Sequence, residues 1–464
     1  MGFRIVLIGG GSCMWTPILA QDLFLRPNLK GSELVLVDID PKAVRLLETY
    51  CKILAEKVGT GWKVSVAGHA KALDGADFVC ASISTGGFDA MHHDYTIPEK
   101  FGVYHTVGDT VGPAGISRSL RNIPVFVGFA QMMEKYCPDA WLVHVTNPLS
   151  QLTRAVCKTS SIKCVGLCHN WICTLKFLGR YFGVDYRDVE AVSVGVNHGS
   201  WMKDITVKGK PVEHKLSLER YLKFEAGKKA PAKTGTVDDL VNAMLKKSKS
   251  MEEYISFELF RQFGYFPVGE APHVVENYPH FCNSPRTLKQ HLVRRKGVLP
   301  GRTNWKEARR KEVVEMVKGT RPLPELEVSS EGLSAIADGV LTGNICREIV
   351  NMPNEGQITN LPHDVIVETL GVASYGKVTP ILAGPIPAPL LGWMQTIVEE
   401  QELTVEAALT GDREKVIQAL VVSPQLANKD CAPELADRLL QANRAFLPQF
   451  FKKNSAGRKS NIKN

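Results

Sequence analysis

The first apolar run, FRIVLI over residues 3–8, leads straight into Gly9, Gly10 and Gly11, and three further β-rich runs follow at 34–38 (LVLVD), 77–83 (DFVCASI) and 141–146 (WLVHVT). Each is short and bounded by helix-length stretches, as strands buried in a sheet covered by helices should be. The alternation predicts an α/β fold built on a parallel, doubly wound sheet. Runs at 164–167 (CVGL) and 189–196 (VEAVSVGV) are expected to extend that sheet. The chain then changes character near Asn197, so residues 1–196 are read as one Rossmann-like domain. From 205 to 330 Lys, Arg and aromatic residues become more frequent, with helices expected around 237–263 and 304–318. An extended stretch (DVIVETLGV, 364–372) and helical patterns from Pro389 complete a second, α+β domain over 197–451 that is expected to carry substrate. The basic segment 452–464 (KKNSAGRKSNIKN) has too little apolar surface to fold and is expected to be a disordered tail.

Composition narrows the function classes. With 44% apolar and 22% charged residues in 464, and no apolar run near the roughly 20 residues needed to cross a bilayer, no membrane role is expected. The formal charge of +8 suggests nucleic acid, but Lys452, Lys453, Arg458, Lys459 and Lys463 all lie in the tail, which leaves the body close to balanced. The first apolar run ends in glycines instead of a cleavage site, so it reads as a strand and not a signal peptide. A cytoplasmic location is expected. Eleven cysteines scattered through a long chain point to reduced thiols, not a disulfide framework.

Gly9, Gly11 and Ser12 follow the first strand and open a helical segment, where a pyrophosphate can rest on backbone N–H groups and the positive helix end. The spacing departs from a full G-x-G-x-x-G pattern, with Trp15 where a third small residue would stand. Asp38 ends the second strand, where an acid accepts from ribose hydroxyls and repels an NADP phosphate, so NAD is favoured over NADP. The alternative is that Asp38 or Asp40 caps the helix starting near Pro41. Asn147 follows the fourth strand, at the edge where such sheets bind ligands, or else marks an ordinary turn. Cys168 and His198 each follow an apolar run and could converge on one transition metal with open positions; a buried cysteine and a satisfied histidine are the other reading.

These residues lie within longer motifs: IVLIGGGS, VDID, VGDTVGPAGISRSLRNIP (107–124), VTNP (145–148), GLCHN (166–170), GVNH (195–198) and NMPNEGQITNLP (351–362). In that order, over nearly the whole chain, they resemble glycoside hydrolase family 4, nearer its α-galacturonidase and α-galactosidase branches than the branch acting on phosphorylated sugars. The resemblance implies a fold similar to lactate and malate dehydrogenases, bound NAD, and a divalent metal, usually manganese, on Cys168 and His198. It implies cleavage of an α-glycoside, a hexuronide foremost, through oxidation at sugar C3, proton removal at C2, elimination, water addition and re-reduction, an exception to the two-carboxylate scheme. Other branches use a Tyr or an Asp as base, which leaves Glu270, in YFPVGEAPH, or Tyr265 for that role here. His169 stands where it could meet the leaving group. Asn147, Asn170, His273 and Glu276 are expected to line the sugar pocket, and Arg118 or Arg121 could pair with a sugar carboxylate. A homodimer or homotetramer acting on a small carbohydrate is expected. Three other readings share these residues: an α-galactosidase or α-glucosidase of the same family, a simple NAD-dependent sugar dehydrogenase, and a non-catalytic NAD sensor.

Overall fold

The computed structural model describes residues 2–226, 253–291, 293, 295 and 301–451. The tail at 452–464 and the 237–252 part of one expected helix lie outside them. Six parallel strands, β1 (Arg4–Ile8), β2 (Glu33–Val37), β3 (Lys63–Val66), β4 (Phe78–Ala81), β5 (Trp141–His144) and β6 (Lys163–Gly166), stand in the order β3-β2-β1-β4-β5-β6. That is the order of the dinucleotide-binding doubly wound sheet, whose switch point lies between β1 and β4. Strand periodicity gives the sheet two cores. Val6, Ile8, Val35, Val37, Val79 and Leu142 face one, together with Ile116 and Phe126 of a long helix. Ile5, Leu7, Leu34, Leu36, Phe78 and Val143 face the other. The second core is closed by helices α1 (Thr16–Phe24) and α2 (Pro41–Val58), through Leu19, Leu23, Val44, Leu47 and Leu54.

The chain then leaves this sheet and returns to it. The expected extended stretch at 364–372 is β12 (Ile366–Ser374), paired antiparallel with β11 (Cys346–Pro353) and β13 (Lys377–Pro380). β11 also pairs antiparallel with β6, completing a nine-stranded mixed sheet. The run at 189–196 does not extend this sheet as expected. It forms β7 (Val189–Val194), which pairs antiparallel with β8 (Trp201–Val207) in a second, four-stranded sheet with the two-residue strands β9 (Lys210–Pro211) and β10 (Phe266–Pro267). The reason lies far along the chain: β11 already occupies the free edge of β6, and β7 is only half-buried along its middle, unlike the fully buried β4 and β5 of the first sheet. Helices form at Tyr254–Phe263 and Gly301–Val317, within and over the stretches the periodicity marked. Among the described residues, no helix is long and apolar enough to cross a membrane.

Candidate active site

At the end of β1 the backbone N–H groups of Gly9 and Gly10 both donate to Val37 O (2.8 and 2.9 Å), which ties the turn to β2. Gly9 has φ +92°, and a Cβ there would lie 2.0 Å from Ser82 O; a Cβ on Gly11 would lie 2.8 Å from Asp38 Oδ2. Gly9 accepts no side chain, and one on Gly11 would push the Asp38 carboxylate aside. The Gly11 N–H donates to Asp38 Oδ2 (2.8 Å), and the Asp40 N–H donates to Asp38 Oδ1 (2.9 Å). Asp40, not Asp38, caps α2, accepting from Lys42 and Ala43. Ser12 Oγ accepts from the Trp15 N–H (3.2 Å) at the entry to α1. A close-packed glycine turn, a helix start and an acid at the end of the second strand fit a dinucleotide.

Beyond the sheet's carboxyl edge, Asp109, His198 and His273 bring one ligand atom each to within 4.8 Å of one another. His198 follows β7 in a left-handed conformation (φ +63°) that aims its ring inward, and its Nδ1 bonds Thr110 Oγ1 (2.8 Å). Thr110 also donates to Asp109 Oδ1 (2.9 Å). The His198 and His273 rings lie 4.2 Å apart between centroids. Asn147 Nδ2 donates to Asp109 Oδ2 (3.3 Å), so the dinucleotide edge and this cluster form one site. Burial, and then the neighbouring His273, lowers the His198 pKa to about 4, leaving a neutral imidazole at pH 7. For Asp109, burial works against ionisation, but His273, His198, Arg118 and Arg302 outweigh it and hold the carboxyl well below its usual range. A carboxylate and two histidines are a donor set suited to a divalent transition metal.

Cys168 lies outside that trio. Burial, and then Glu368, pushes its thiol well up, while the Asn170 N–H and the Asn197 side chain draw it back. Asn197, Asn351 and Ser200 hold the buried Glu368 carboxylate at 2.8–3.0 Å, so Cys168 and His198 are joined through Asn197. Asn170 opens helix α3 (Asn170–Phe182), and His169 precedes it, with Nδ1 3.4 Å from Glu331 Oε1. That hydrogen bond raises the His169 pKa against the opposing effect of burial. Glu270 stands at the N-cap position of the short helix Ala271–Val274 that carries His273, its backbone carbonyl accepting from His273 and Val274, and its charge bears on His169, Cys173 and His273. Tyr265 packs, half-buried, on an apolar cluster that includes Trp201 and Tyr278.

The remaining expected residues separate. Glu276 Oε1 accepts from three successive N–H groups, Thr106, Val107 and Gly108 (2.7–2.8 Å), and so fixes the loop that presents Asp109. Arg121 is fully buried and bidentate to Asp94 (2.9 and 2.5 Å). Arg118 donates through Nε to Asn147 O (3.0 Å), and its buried Nη1 has no partner. Asn147 Oδ1, Asn170 Nδ2 and His273 Nδ1 are likewise buried and unpartnered. Buried polar groups without partners are rare; of these, Arg118 bonds Asn147, and Asn147 and His273 both lie against Asp109. Asp94→Ala should lower stability by about 3–5 kcal/mol, because it leaves Arg121 buried and uncompensated; urea unfolding of the two proteins measures this, and equal midpoints would refute it.

The sequence reading missed two groups. Asp109 sits in the VGDTVGPAG motif, and an acid flanked by glycines just before a helix was the available signal. Arg302 gives no local sign; its Nη2 reaches Val107 O (3.4 Å) from a helix nearly two hundred residues on.

A doubly wound dinucleotide fold whose carboxyl edge opens onto buried metal-type ligands defines a class of cofactor-dependent enzyme, and the comparisons give the family. Residues 4–184 match family 4 glycosyl hydrolase and residues 193–426 its C-terminal domain. The chain is 31% identical to an alpha-galactosidase of Bacillus subtilis, over 96% of this chain and 99% of that one. It is 32% identical to an alpha-galacturonidase of Thermoanaerobacter italicus, over 91% and 92%. A solved Bacillus subtilis protein named as a glucosidase superposes with TM-score 0.82 at 28% identity, covering 95% of this chain and 100% of that one. The 6-phospho-beta glucosidase of Thermotoga maritima, solved with manganese, NAD+ and glucose-6-phosphate, shares the fold (TM-score 0.75, 23% identity, 96% and 99% coverage). The chain belongs to glycoside hydrolase family 4 and is a glycosidase.

Proposed function

We propose that the protein is an NAD- and divalent-metal-dependent α-glycosidase acting on a hexuronide. The observation that carries this reading is the Asn147–Asp109 contact, which joins the dinucleotide edge to the histidine cluster. Gly9, Gly11, Ser12, Asp38 and Asn147 would hold the dinucleotide. Cys168 and His198 would hold the metal, manganese foremost, with Asp109 and His273 beside it. When bound, these groups supply reversible hydride transfer at sugar C3 and Lewis-acid polarisation of the adjoining sugar oxygens.

The chain's own residues do the rest. Glu270 takes the C2 proton, which becomes acidic beside a C3 carbonyl, with Tyr265 as the alternative base. His169, whose pKa the Glu331 carboxylate raises, can donate to the departing glycosidic oxygen when protonated. Asn147, Asn170 and His273 offer unpartnered buried atoms to the sugar hydroxyls. A sugar carboxylate favours the same space, because Arg118 brings an unpaired N–H and Arg302 adds a second cation bearing on Asp109. Glu276 shapes this pocket through the loop it binds. Cytoplasmic location and a homodimer or homotetramer, which light scattering would measure, belong to the same reading.

An enzyme that breaks the C2–H bond leaves solvent hydrogen at C2. Uronides and unphosphorylated hexosides turned over in deuterium oxide with NAD, manganese and a thiol reductant should therefore yield product deuterated at C2, uronides fastest. A product retaining its full C2 proton by NMR would sink the mechanism; a hexoside preferred over every uronide would sink the substrate class.

A further inference from the structure

Helix α4 (Gly301–Val317) comes from the second half of the chain but is anchored on the first: Val313 is buried, and Met316 and Val317 pack on the core shared by α1 and α2. Arg302, Lys306 and Arg310 recur along it at four-residue spacing and so form one stripe, about 12 Å long at 1.5 Å per residue. Its beginning is fixed at the catalytic end, where Arg302 meets Val107 O (3.4 Å) and Met91 Sδ (3.3 Å). Lys306 Nζ lies 5.2 Å above the ring of Phe88, beyond the carboxyl end of β4. Arg310 and Lys306 both bear on Cys13, two residues past Gly11; burial pushes that thiol up and these cations pull it back. Arg310 also bears on Asp40 at the start of α2. Arg309 is taken by Glu312 (2.7 Å). Lys306 and Arg310 are exposed, and among the described residues neither has an ion-pair partner.

This leaves two cations with no ion pair among the described residues beside a glycine turn and a helix start that are themselves electropositive. Such a concentration of like charge is stable when an anion lies within it. A dinucleotide pyrophosphate brings two negative charges to that place. We propose that Lys306 and Arg310 clamp the cofactor's pyrophosphate from above, so that NAD is held between the sheet edge and a helix supplied by the substrate half of the chain. The clamp links cofactor retention to the part of the protein that carries Arg302.

The inference rests on NAD being the ligand of the glycine turn, and calorimetry without sugar separates the two claims. The ligands are NAD, ADP-ribose, which keeps the pyrophosphate, and adenosine, which has none. Lys306→Gln and Arg310→Gln place a good helix former at exposed positions. Each should weaken NAD and ADP-ribose binding roughly three- to fivefold, as exposed charge pairs do, with a shallower salt dependence and unchanged adenosine binding and circular dichroism. Asp38→Ala should weaken NAD in the same assay. The clamp is overturned if the double variant binds NAD as the wild type does while Asp38→Ala is weakened, or if adenosine binding falls equally. If the wild-type protein binds neither NAD nor ADP-ribose, the cofactor reading fails and the clamp with it.

Discussion

His198→Asn is expected to release the divalent metal and to lower glycosidase activity on the order of a thousandfold, the equivalent of several kcal/mol of lost Lewis-acid stabilisation. Asparagine is the informative replacement because residue 198 has φ +63°, which asparagine tolerates better than alanine. The fold should survive while the imidazole is lost. In the native site Thr110 engages Nδ1, so Nε2 is the nitrogen left for a metal, and a pKa near 4 keeps it unprotonated at neutral pH. Cys168→Ser should also lose metal, since a hydroxyl does not replace a thiolate donor. Chelation should abolish wild-type activity and added manganese restore it. Metal content after gel filtration decides the ligand set. A Cys168→Ser protein that keeps its metal, beside a His273→Ala protein that loses it, would move the ion to the Asp109–His198–His273 trio and remove Cys168 from the assignment.

How far the sequence could be read follows from how local each signal was. The strands β1, β2, β4 and β5 were visible because burial on both faces makes them near-continuous apolar runs, and their order then follows the doubly wound rule. β3, with the sequence KVSV and a single buried residue, carried no such signal. β7 looked like its predecessors, but which edge it joins depends on β11, more than 150 residues later. The glycine turn and Asp38 were legible because their chemistry lies within thirty residues. Arg121 and Arg118 share one motif, yet a buried Asp94 takes one and leaves the other with an open N–H. Glu276 illustrates the same limit: its acid character was plain, but its three backbone partners lie about 170 residues upstream. Only folding decides which acids and bases are spent on the protein itself.

Glu270→Gln is expected to cut turnover by about 10²–10⁴-fold, the usual range for a lost general base, and to slow C2 deuterium incorporation while NAD and metal stay bound. The amide keeps the shape of the side chain at the head of Ala271–Val274 but cannot accept a proton. Position supports the assignment, because the charge of Glu270 bears on His169 and His273, two groups proposed for the sugar pocket that come from different elements. His273→Ala, which removes a neighbour of Glu270 and not the base itself, should alter the exchange rate less than Glu270→Gln does. Tyr265→Phe is the matched control. Its ring is held by the apolar cluster around Trp201, which phenylalanine fills equally well, so exchange should proceed at the wild-type rate. Exchange lost in Tyr265→Phe and retained in Glu270→Gln would transfer the base to the tyrosine. Retention of exchange in both would mean that neither removes the C2 proton, and proton NMR of the sugar released in deuterium oxide distinguishes the three results directly.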